Sequence, residues 1–439
     1  MSERWARAIL TTYRWAGAAA FPLVGGYIVW RAGKGKEDRA RRHERYGRAG
    51  HPRPDGPLIW MHAASVGETV AVISLIEHLI AYGINIVLTT GTVTSAKVAE
   101  ERLGDRVIHQ YVPLDLKPAV SRFLDHWKPD LAIMAESEIW PMTILELGAR
   151  RVPQVLVNGR LSDRSFANWQ KRPFLAEALF ENLAHVIAQS EVDGERFRTL
   201  GARPVTVSGN LKVDTGAPPV DKDALALLQR AIGKRETWAA VSTHKGEETI
   251  AAEVHGKLKA RHPSLLTIIV PRHPERAADL EQEFTAQGLK IARRSRNDPV
   301  TADTDILLGD TIGEMGLYLR LTEVAFVGRS LVQEGGQNPI EPARLGTAVL
   351  AGCNVQNFRD AYRRLIDRGG ARLVRDGEML AGGVNFLLNN DAARHAMIKA
   401  GLTAVDDMSG ALKRTLQALD PYIHPLVVKS RLEGGDDYG

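Results

Sequence analysis

Several clusters of small and charged residues in this 439-residue chain directly follow apolar runs, and their side chains could move protons or hold anions. The first is Ser65-Val66-Gly67-Glu68, which follows Leu58 to Met61 and opens a helical pattern running from Thr69 to Leu79. A strand that ends in small residues and restarts as a helix puts Ser65, Gly67 and Glu68 at the C-terminal edge of a parallel sheet, where open α/β sheets bind ligands. Glu68 has two readings. A carboxylate in a first helical turn is favoured by the helix dipole, and at the mouth of a cleft the same group can act as a general base. Thr89-Thr90-Gly91-Thr92 is a small polar turn able to hold a phosphate or sugar hydroxyls. Glu136-Ser137-Glu138-Ile139-Trp140-Pro141 sets two carboxylates beside a strand end, and buried acids are costly unless paired. Arg160 or Arg164 is the expected partner, either in a reactive cluster or in a purely structural ion network.

The second half of the chain offers groups suited to anions. Ser242-Thr243-His244-Lys245-Gly246-Glu247-Glu248 follows an apolar run and begins a helix, presenting hydroxyls and free N–H groups. In Pro271-Arg272-His273-Pro274-Glu275-Arg276, Arg272 at a strand end suits a bidentate phosphate or carboxylate contact, whereas Arg276 reads as a solvated face. Gly313-Glu314-Met315-Gly316 opens another helix. Gly328-Arg329-Ser330 and Gly335-Gly336-Gln337-Asn338-Pro339-Ile340-Glu341-Pro342 form the most specific cluster. Two glycines allow close backbone approach, Pro339 suits a first helical turn, and Glu341 lies near that helix start. A phosphate on a helix N-terminus with a carboxylate on ribose hydroxyls is the logic of a nucleotide-sugar site.

Other patterns carry less. Ala63-Ala64-Ser65-Val66-Gly67 lacks the first glycine of a nucleophile elbow. Asp303-Thr304-Asp305 precedes a strand in a polar loop, and no metalloprotease, P-loop or cysteine-cluster motif is present. Chemistry without a metal or cofactor is therefore expected.

The elements that must position these residues alternate. Strands are expected at 58–61, 84–89, 107–111, 131–135, 155–158, 186–189 and 205–207, then at 238–241, 266–270, 306–308, 324–327 and 348–350, with helical patterns between. Two Rossmann-like domains follow, at 51–212 and 223–405, joined by a linker at 213–222 rich in glycine and proline. A C-terminal segment, 406–439, begins with a helix able to pack back on the first domain. Hydrophobic content of 44% and charged content of 25% are those of a globular protein. The single cysteine, Cys353, excludes an internal disulfide and fits a reducing compartment.

The net charge of +5 is unevenly spread, with Arg31, Lys34, Lys36, Arg39, Arg41, Arg42, Arg45, Arg48 and Arg53 in one short segment. The remainder is close to neutral, which argues against nucleic acid as a partner. Residues 1–50 read as a membrane anchor followed by this basic stretch: Trp15 to Trp30 carries no charge, although Pro22 and Gly25-Gly26 weaken a full crossing. An amphipathic or buried first helix is the alternative. By the positive-inside rule the chain after it stays cytoplasmic, and the basic residues would gain about 1 kcal/mol each near anionic headgroups.

Taken in order, WMHAASVGE (60–68), ESEIWP (136–141), NGRLSDRS (158–165), GNLKVD (209–214), STHKGEE (242–248), PRHPER (271–276), GEMGLY (313–318) and GGQNPIEP (335–342) resemble the motifs of the bacterial Kdo transferases of lipopolysaccharide biosynthesis. These enzymes move 3-deoxy-D-manno-octulosonic acid (Kdo) from CMP-Kdo to a lipid A precursor. The resemblance spans nearly the whole chain. It implies a GT-B fold, with two Rossmann-like domains facing a central cleft, a first domain for the acceptor and a second for the CMP-sugar. It makes Glu68 the base that deprotonates the acceptor hydroxyl in an inverting transfer, with Ser65 and Gly67 beside it. Glu138 and Lys212 match positions assigned to transition-state stabilisation, where a cation near the cleft can offset charge on the departing phosphate. Pro271, Arg272, Gly313, Glu314, Met315, Asn338, Pro339, Ile340 and Glu341 match CMP-binding segments. No metal or cofactor is implied, and the expected location is the cytoplasmic face of the inner membrane. The basic stretch, with Trp140 and Trp169 as exposed aromatics, would meet the anionic surface that carries the acceptor.

Two positions depart from the pattern, which has histidine where Gln337 stands and glycine where Arg329 stands. Glutamine still donates and accepts hydrogen bonds. Rival readings are another GT-B nucleotide-sugar enzyme (a glycosyltransferase or an epimerase), or a non-catalytic, membrane-tethered sugar-nucleotide binding module. Donor identity separates the first, and the joint presence of Glu68, Glu138 and Lys212 is unnecessary for the second. A serine hydrolase using Ser65 lacks a placed Asp and His.

Overall fold

A computed structural model describes residues 37–433, together with Thr12, Gly26, Ala32 and Gly33. The expected anchor, Trp15 to Trp30, and the basic residues at 31, 34 and 36 thus lie outside the described residues, Gly26 apart. Among the described residues no helix is long and apolar enough to cross a membrane. The chain divides into two compact units, one running through Thr215 and resumed from Gly410, the other Gly216–Ser409.

The first unit is built on strands β1 (Leu58–Ala63), β2 (Asn85–Thr90), β3 (Ile108–Tyr111), β4 (Leu131–Ala135), β5 (Gln154–Gly159), β6 (His185–Ala188) and β7 (Val205–Val207). They form one sheet in the order β3-β2-β1-β4-β5-β6-β7, with every pairing parallel. Each of the central strands reads as a continuous apolar run because a parallel sheet is covered on both faces. In β1 the alternation is visible in the packing. Leu58 and Trp60 enter one core with Phe123, Trp127 and Phe180. Ile59, Met61 and Ala63 enter the other, with Val72, Leu75 and Leu79 of the helix Val66–Ala81. This second core is completed by Leu419, Ile423 and Leu426 of the long helix Ala411–Glu433.

The C-terminal helix starts later than the expected 406. Residues 406–408 finish the preceding helix, Asp391–Met408. Gly410 then takes a left-handed φ of 88°, and Asp214 accepts hydrogen bonds from the backbone N–H groups of Gly410 (2.8 Å) and Leu412 (2.5 Å) to start the new helix. The Tyr422 hydroxyl, donating to the Ala184 carbonyl at 2.8 Å, ties its far end to the first unit.

The second unit repeats the plan with β8 (Thr237–Thr243), β9 (Leu266–Pro271), β10 (Ile291–Arg293), β11 (Ile306–Leu308), β12 (Val324–Val327), β13 (Ala348–Ala351) and β14 (Ala371–Leu373). Their order is β10-β11-β9-β8-β12-β13-β14, again all parallel. Trp238, Phe284, Phe326 and Leu350 anchor a core beneath it. In both sheets the strand order reverses near the middle, between β1 and β4 and between β8 and β12. A crevice opens at such a reversal, outside the carboxyl ends of the strands.

Three of the basic residues expected at a membrane surface are turned inward instead. Arg45 pairs with the buried Glu37 (2.9 Å) and donates to the Gly91 carbonyl (2.7 Å). Arg41 grips Glu44 (2.8 Å) and the His109 carbonyl (2.8 Å). Arg53 donates to the Trp127 carbonyl at 2.9 Å. The guanidinium fork suits such multiple contacts, and these arginines clamp the segment to the first sheet.

Candidate active site

At the β1–β4 reversal the chain leaves β1 at Ala63 and starts the helix Val66–Ala81 with Ser65 as its cap. The Ser65 hydroxyl accepts from the Glu68 N–H (3.3 Å) and donates to Glu68 Oε1 (2.9 Å), while Glu68 Oε2 accepts from the Ala64 N–H (2.8 Å). This reciprocal cap fixes the carboxylate at the sheet edge, so both readings of Glu68 describe it: it closes a helix start and it is aimed at the crevice. Gly91 comes so close that an added Cβ would lie 2.8 Å from the Ala64 carbonyl oxygen. The 89–92 turn therefore buttresses this loop, and Thr92 caps its own helix.

From the neighbouring strand β4 come the other two carboxylates. Glu136 stands in the left-handed region (φ 55°) and is paired with Lys212, while Asn158 Nδ2 donates to it at 3.4 Å. Asn158, itself at φ 52°, also accepts from the Leu211 N–H (3.0 Å), which anchors the turn carrying Lys212. Residues held in sparsely populated backbone regions cluster where function needs them. A Cβ added to Gly67 would lie 3.9 Å from Lys212 Nζ, so the ammonium stands over the start of the Glu68 helix.

Glu138 Oε2 accepts from Trp140 Nε1–H (2.6 Å) and lies 3.3 Å from Nε2 of the buried His62. His62 Nδ1 contacts the Thr89 carbonyl at 3.0 Å. The partners expected for these acids were Arg160 or Arg164; the structure supplies Lys212 to Glu136, and His62 with Trp140 to Glu138.

The assembled edge brings three carboxylates within electrostatic reach of one another, one of them paired with the Lys212 ammonium. Burial first, and Glu136 and Glu138 second, hold the Glu68 carboxyl above its ordinary value of 4.5. A carboxylate made more basic, half-buried and fixed at a crevice is what a general base requires.

In the second unit, four adjacent strands (β11, β9, β8 and β12) deliver the expected anion-binding residues to one edge. Pro271 ends β9 and Arg272 stands exposed beyond it. Gly313, Glu314 and Met315 follow β11, where Glu314 is forked to Arg294 (2.8 Å) and accepts from the Thr311 hydroxyl (2.5 Å). Burial alone would raise its pKa, but these contacts bring it below the usual range. Asn338 accepts from the Ile340 N–H (3.1 Å) and donates to Glu341 (3.3 Å), setting Pro339, Ile340 and Glu341 at the start of the helix Ile340–Arg344. Arg276 pairs at 2.6 Å with the buried Glu248, a structural contact rather than a solvated one.

Glu247 organises this edge. Its carboxylate is buried and accepts four backbone N–H groups: His244 (2.9 Å) and Arg329 (2.6 Å) on one oxygen, Ser330 and Leu331 (both 2.9 Å) on the other. It ties the loops after β8 and β12 together across the reversal. Glutamine keeps one acceptor oxygen and turns an NH2 against the other pair of donors. Losing two charge-assisted hydrogen bonds in this way costs about 2–4 kcal/mol. Glu247→Gln is expected to lower the urea midpoint and to weaken nucleotide binding, read by denaturation and calorimetry.

Among the described residues no group of three or more His, Cys, Asp or Glu side chains is placed to hold a metal ion. The family of 3-deoxy-D-manno-octulosonic-acid transferases (kdotransferases), as defined by its N-terminal part, matches residues 40–215. A 3-deoxy-D-manno-octulosonic acid transferase of Haemophilus influenzae is 35% identical over 413 residues, covering 92% of this chain and 96% of that protein. The chain belongs to this transferase family. One from Bordetella pertussis is also 35% identical, over 86% of this chain and 91% of its own. A solved glycosyltransferase of Rickettsia africae, only 12% identical, superposes with a TM-score of 0.60 over 84% of this chain and 99% of its own, a likeness of fold alone. The transferase is thus a glycosyltransferase of GT-B type, with two seven-stranded parallel sheets.

Ser65, Gly67, Glu68, Glu138 and Lys212 meet at the edge of the first sheet. Pro271, Arg272, Gly313, Glu314, Met315, Asn338, Pro339, Ile340 and Glu341 follow β9, β11 and β12 on one edge of the second sheet. Three contacts at these edges are not expected from the sequence: Glu136 with Lys212, His62 with Glu138, and Glu247 with four backbone N–H groups. His62 reads in sequence as one polar residue in an apolar run, which was the only available signal. Trp169 does not stand out as an exposed aromatic; it packs edge-on against Phe180 at 5.5 Å, whereas Trp140 is 39% exposed.

Proposed function

We propose that the enzyme moves Kdo from CMP-Kdo to a hydroxyl of a phosphorylated lipid A precursor, with inversion at the anomeric carbon. The observation that carries this reading is Glu68, a carboxylate of raised pKa fixed at the β1–β4 reversal beside Glu136, Glu138 and Lys212. Glu68 takes the proton of the acceptor hydroxyl, whose oxygen forms the new bond to the anomeric carbon. The bond from that carbon to the phosphate oxygen breaks, and CMP leaves with the electron pair. The oxocarbenium character that develops on the sugar is favoured by Glu138 and Glu136, while Lys212 limits the repulsion among the carboxylates. In the second unit Pro271, Arg272, Gly313 to Met315 and Asn338 to Glu341 hold the CMP moiety. The acceptor lies in the inner membrane and the reaction runs on its cytoplasmic face, with Trp140 as an apolar contact to the anionic surface.

The test incubates wild-type enzyme with freshly made CMP-Kdo and tetraacylated precursor, in micelles and in anionic vesicles, and reads the product by mass spectrometry. A mass gain of one or more Kdo units with release of CMP is expected, faster from vesicles. CMP binding without transfer would sink the donor or acceptor assignment, and equal rates from micelles and vesicles would remove the surface contact.

A further inference from the structure

Arg329 follows β12 and sits at the β8–β12 reversal, in a left-handed backbone conformation (φ 53°) that costs an L-residue strain and glycine none. The Nε–H is buried without a hydrogen-bond partner, and among the described residues the guanidinium meets no carboxylate. Glu247, which accepts from the Arg329 N–H, already spends its oxygens on four backbone N–H groups.

The guanidinium lies over the glycine-rich loop. A Cβ added to Gly335 would come within 3.2 Å of Arg329 Nε, and the Gly336 N–H donates to the Arg329 carbonyl at 2.7 Å. Gln337 of the same loop contacts His244 Nε2 through its amide nitrogen at 3.2 Å, so the imidazole accepts there and is neutral. Arg272, also without a counter-ion among the described residues, stands exposed beyond the end of β9, two strands away in the sheet. Arg329 and Arg272 both stand near His244, against which Gln337 packs, and neither guanidinium is ion-paired among the described residues.

We infer that Arg329 binds an anionic group of the donor, the phosphate or the sugar carboxylate, at the mouth of the glycine-rich loop. This rests on the reading that the second unit holds CMP-Kdo. The strain at Arg329 is kept because a glycine there, although easier to fold, would leave that anion without its fork.

Arg329→Gly and Arg329→Lys test it, through donor KM, kcat and calorimetric titration with CMP. Relief of strain keeps the thermal midpoint of Arg329→Gly at or above wild type, so a lower midpoint would overturn the inference by making Arg329 a folding residue. Donor KM is expected to rise about tenfold or more in Arg329→Gly, with kcat changed by less than about threefold, and less in Arg329→Lys. A parallel loss of CMP affinity assigns the phosphate; unchanged CMP affinity with the raised KM assigns the sugar carboxylate. Unchanged KM and CMP affinity, with wild type active, would overturn this inference alone. A wild type that neither binds CMP nor transfers would overturn the donor reading, and this inference with it.

Discussion

Glu68→Gln is expected to lower kcat by about 10²–10⁴-fold, the range that a positioned general base contributes, with CMP affinity unchanged. Glutamine keeps the shape and can still accept from the Ala64 N–H and meet the Ser65 hydroxyl, so the helix start survives. The pH dependence separates loss of a base from loss of a cap. In wild type the working form is ionised, and its pKa lies above 4.5 because of burial and then of Glu136 and Glu138. Consequently kcat/KM falls as pH drops through that raised value, and in Glu68→Gln this acid limb disappears from the residual activity. Stability runs in the opposite sense. A carboxyl whose folded pKa exceeds its unfolded value favours folding less once ionised. The glutamine variant therefore gains on wild type as pH rises from 4.5 through the folded value, and holds that gain at higher pH. A variant that kept full activity with an unaltered acid limb would return Glu68 to a capping role.

Lys212→Met is expected to be nearly as severe, with kcat down by about 10²–10³-fold. Lys212 is the counter-ion of Glu136, which is only 7% exposed. Removing one member of a largely buried pair leaves an uncompensated charge and costs about 2–3 kcal/mol. The charge left on Glu136 also acts on Glu68, so the acid limb of kcat/KM should move to higher pH. Adding Glu136→Gln to Lys212→Met should restore the thermal midpoint and lower the limb again without restoring the rate. Recovery of rate together with stability would show that Lys212 serves folding alone.

The strands and the loops that follow them were readable in sequence because a parallel sheet buried on both faces writes each strand as an apolar run, and the polar residues after it mark the edge. Thus Ser65 to Glu68 after β1, and the glycine-rich cluster after β12, could be placed before any contact was known. β10 and β14 could not, since Ile291–Arg293 and Ala371–Leu373 are three-residue edge strands with an arginine in each and no run to detect. The pairings inside the site were hidden for another reason. His62 reaches Glu138 only because β4 lies beside β1 in the sheet, and Lys212 reaches Glu136 only because the turn after β7 is held by Asn158 of β5; local spacing carries no trace of strand order. Glu247 reads as an ordinary first-turn acid until the β12 loop is brought against it.

The long helix that closes the sequence gives the first sheet a dependence on both termini. Ile59, Met61 and Leu75 share their core with Leu419, Ile423 and Leu426, more than three hundred residues later. The intervening unit, Gly216–Ser409, has its own sheet and core complete in one continuous stretch. Domains fold as units while the chain emerges from the ribosome, so the unit synthesised second has all its strands before the first unit has its last helix. A chain ending before Ala411 would uncover the part of that core closed by Leu419, Ile423 and Leu426. The half of the protein that is made first is the half that is finished last.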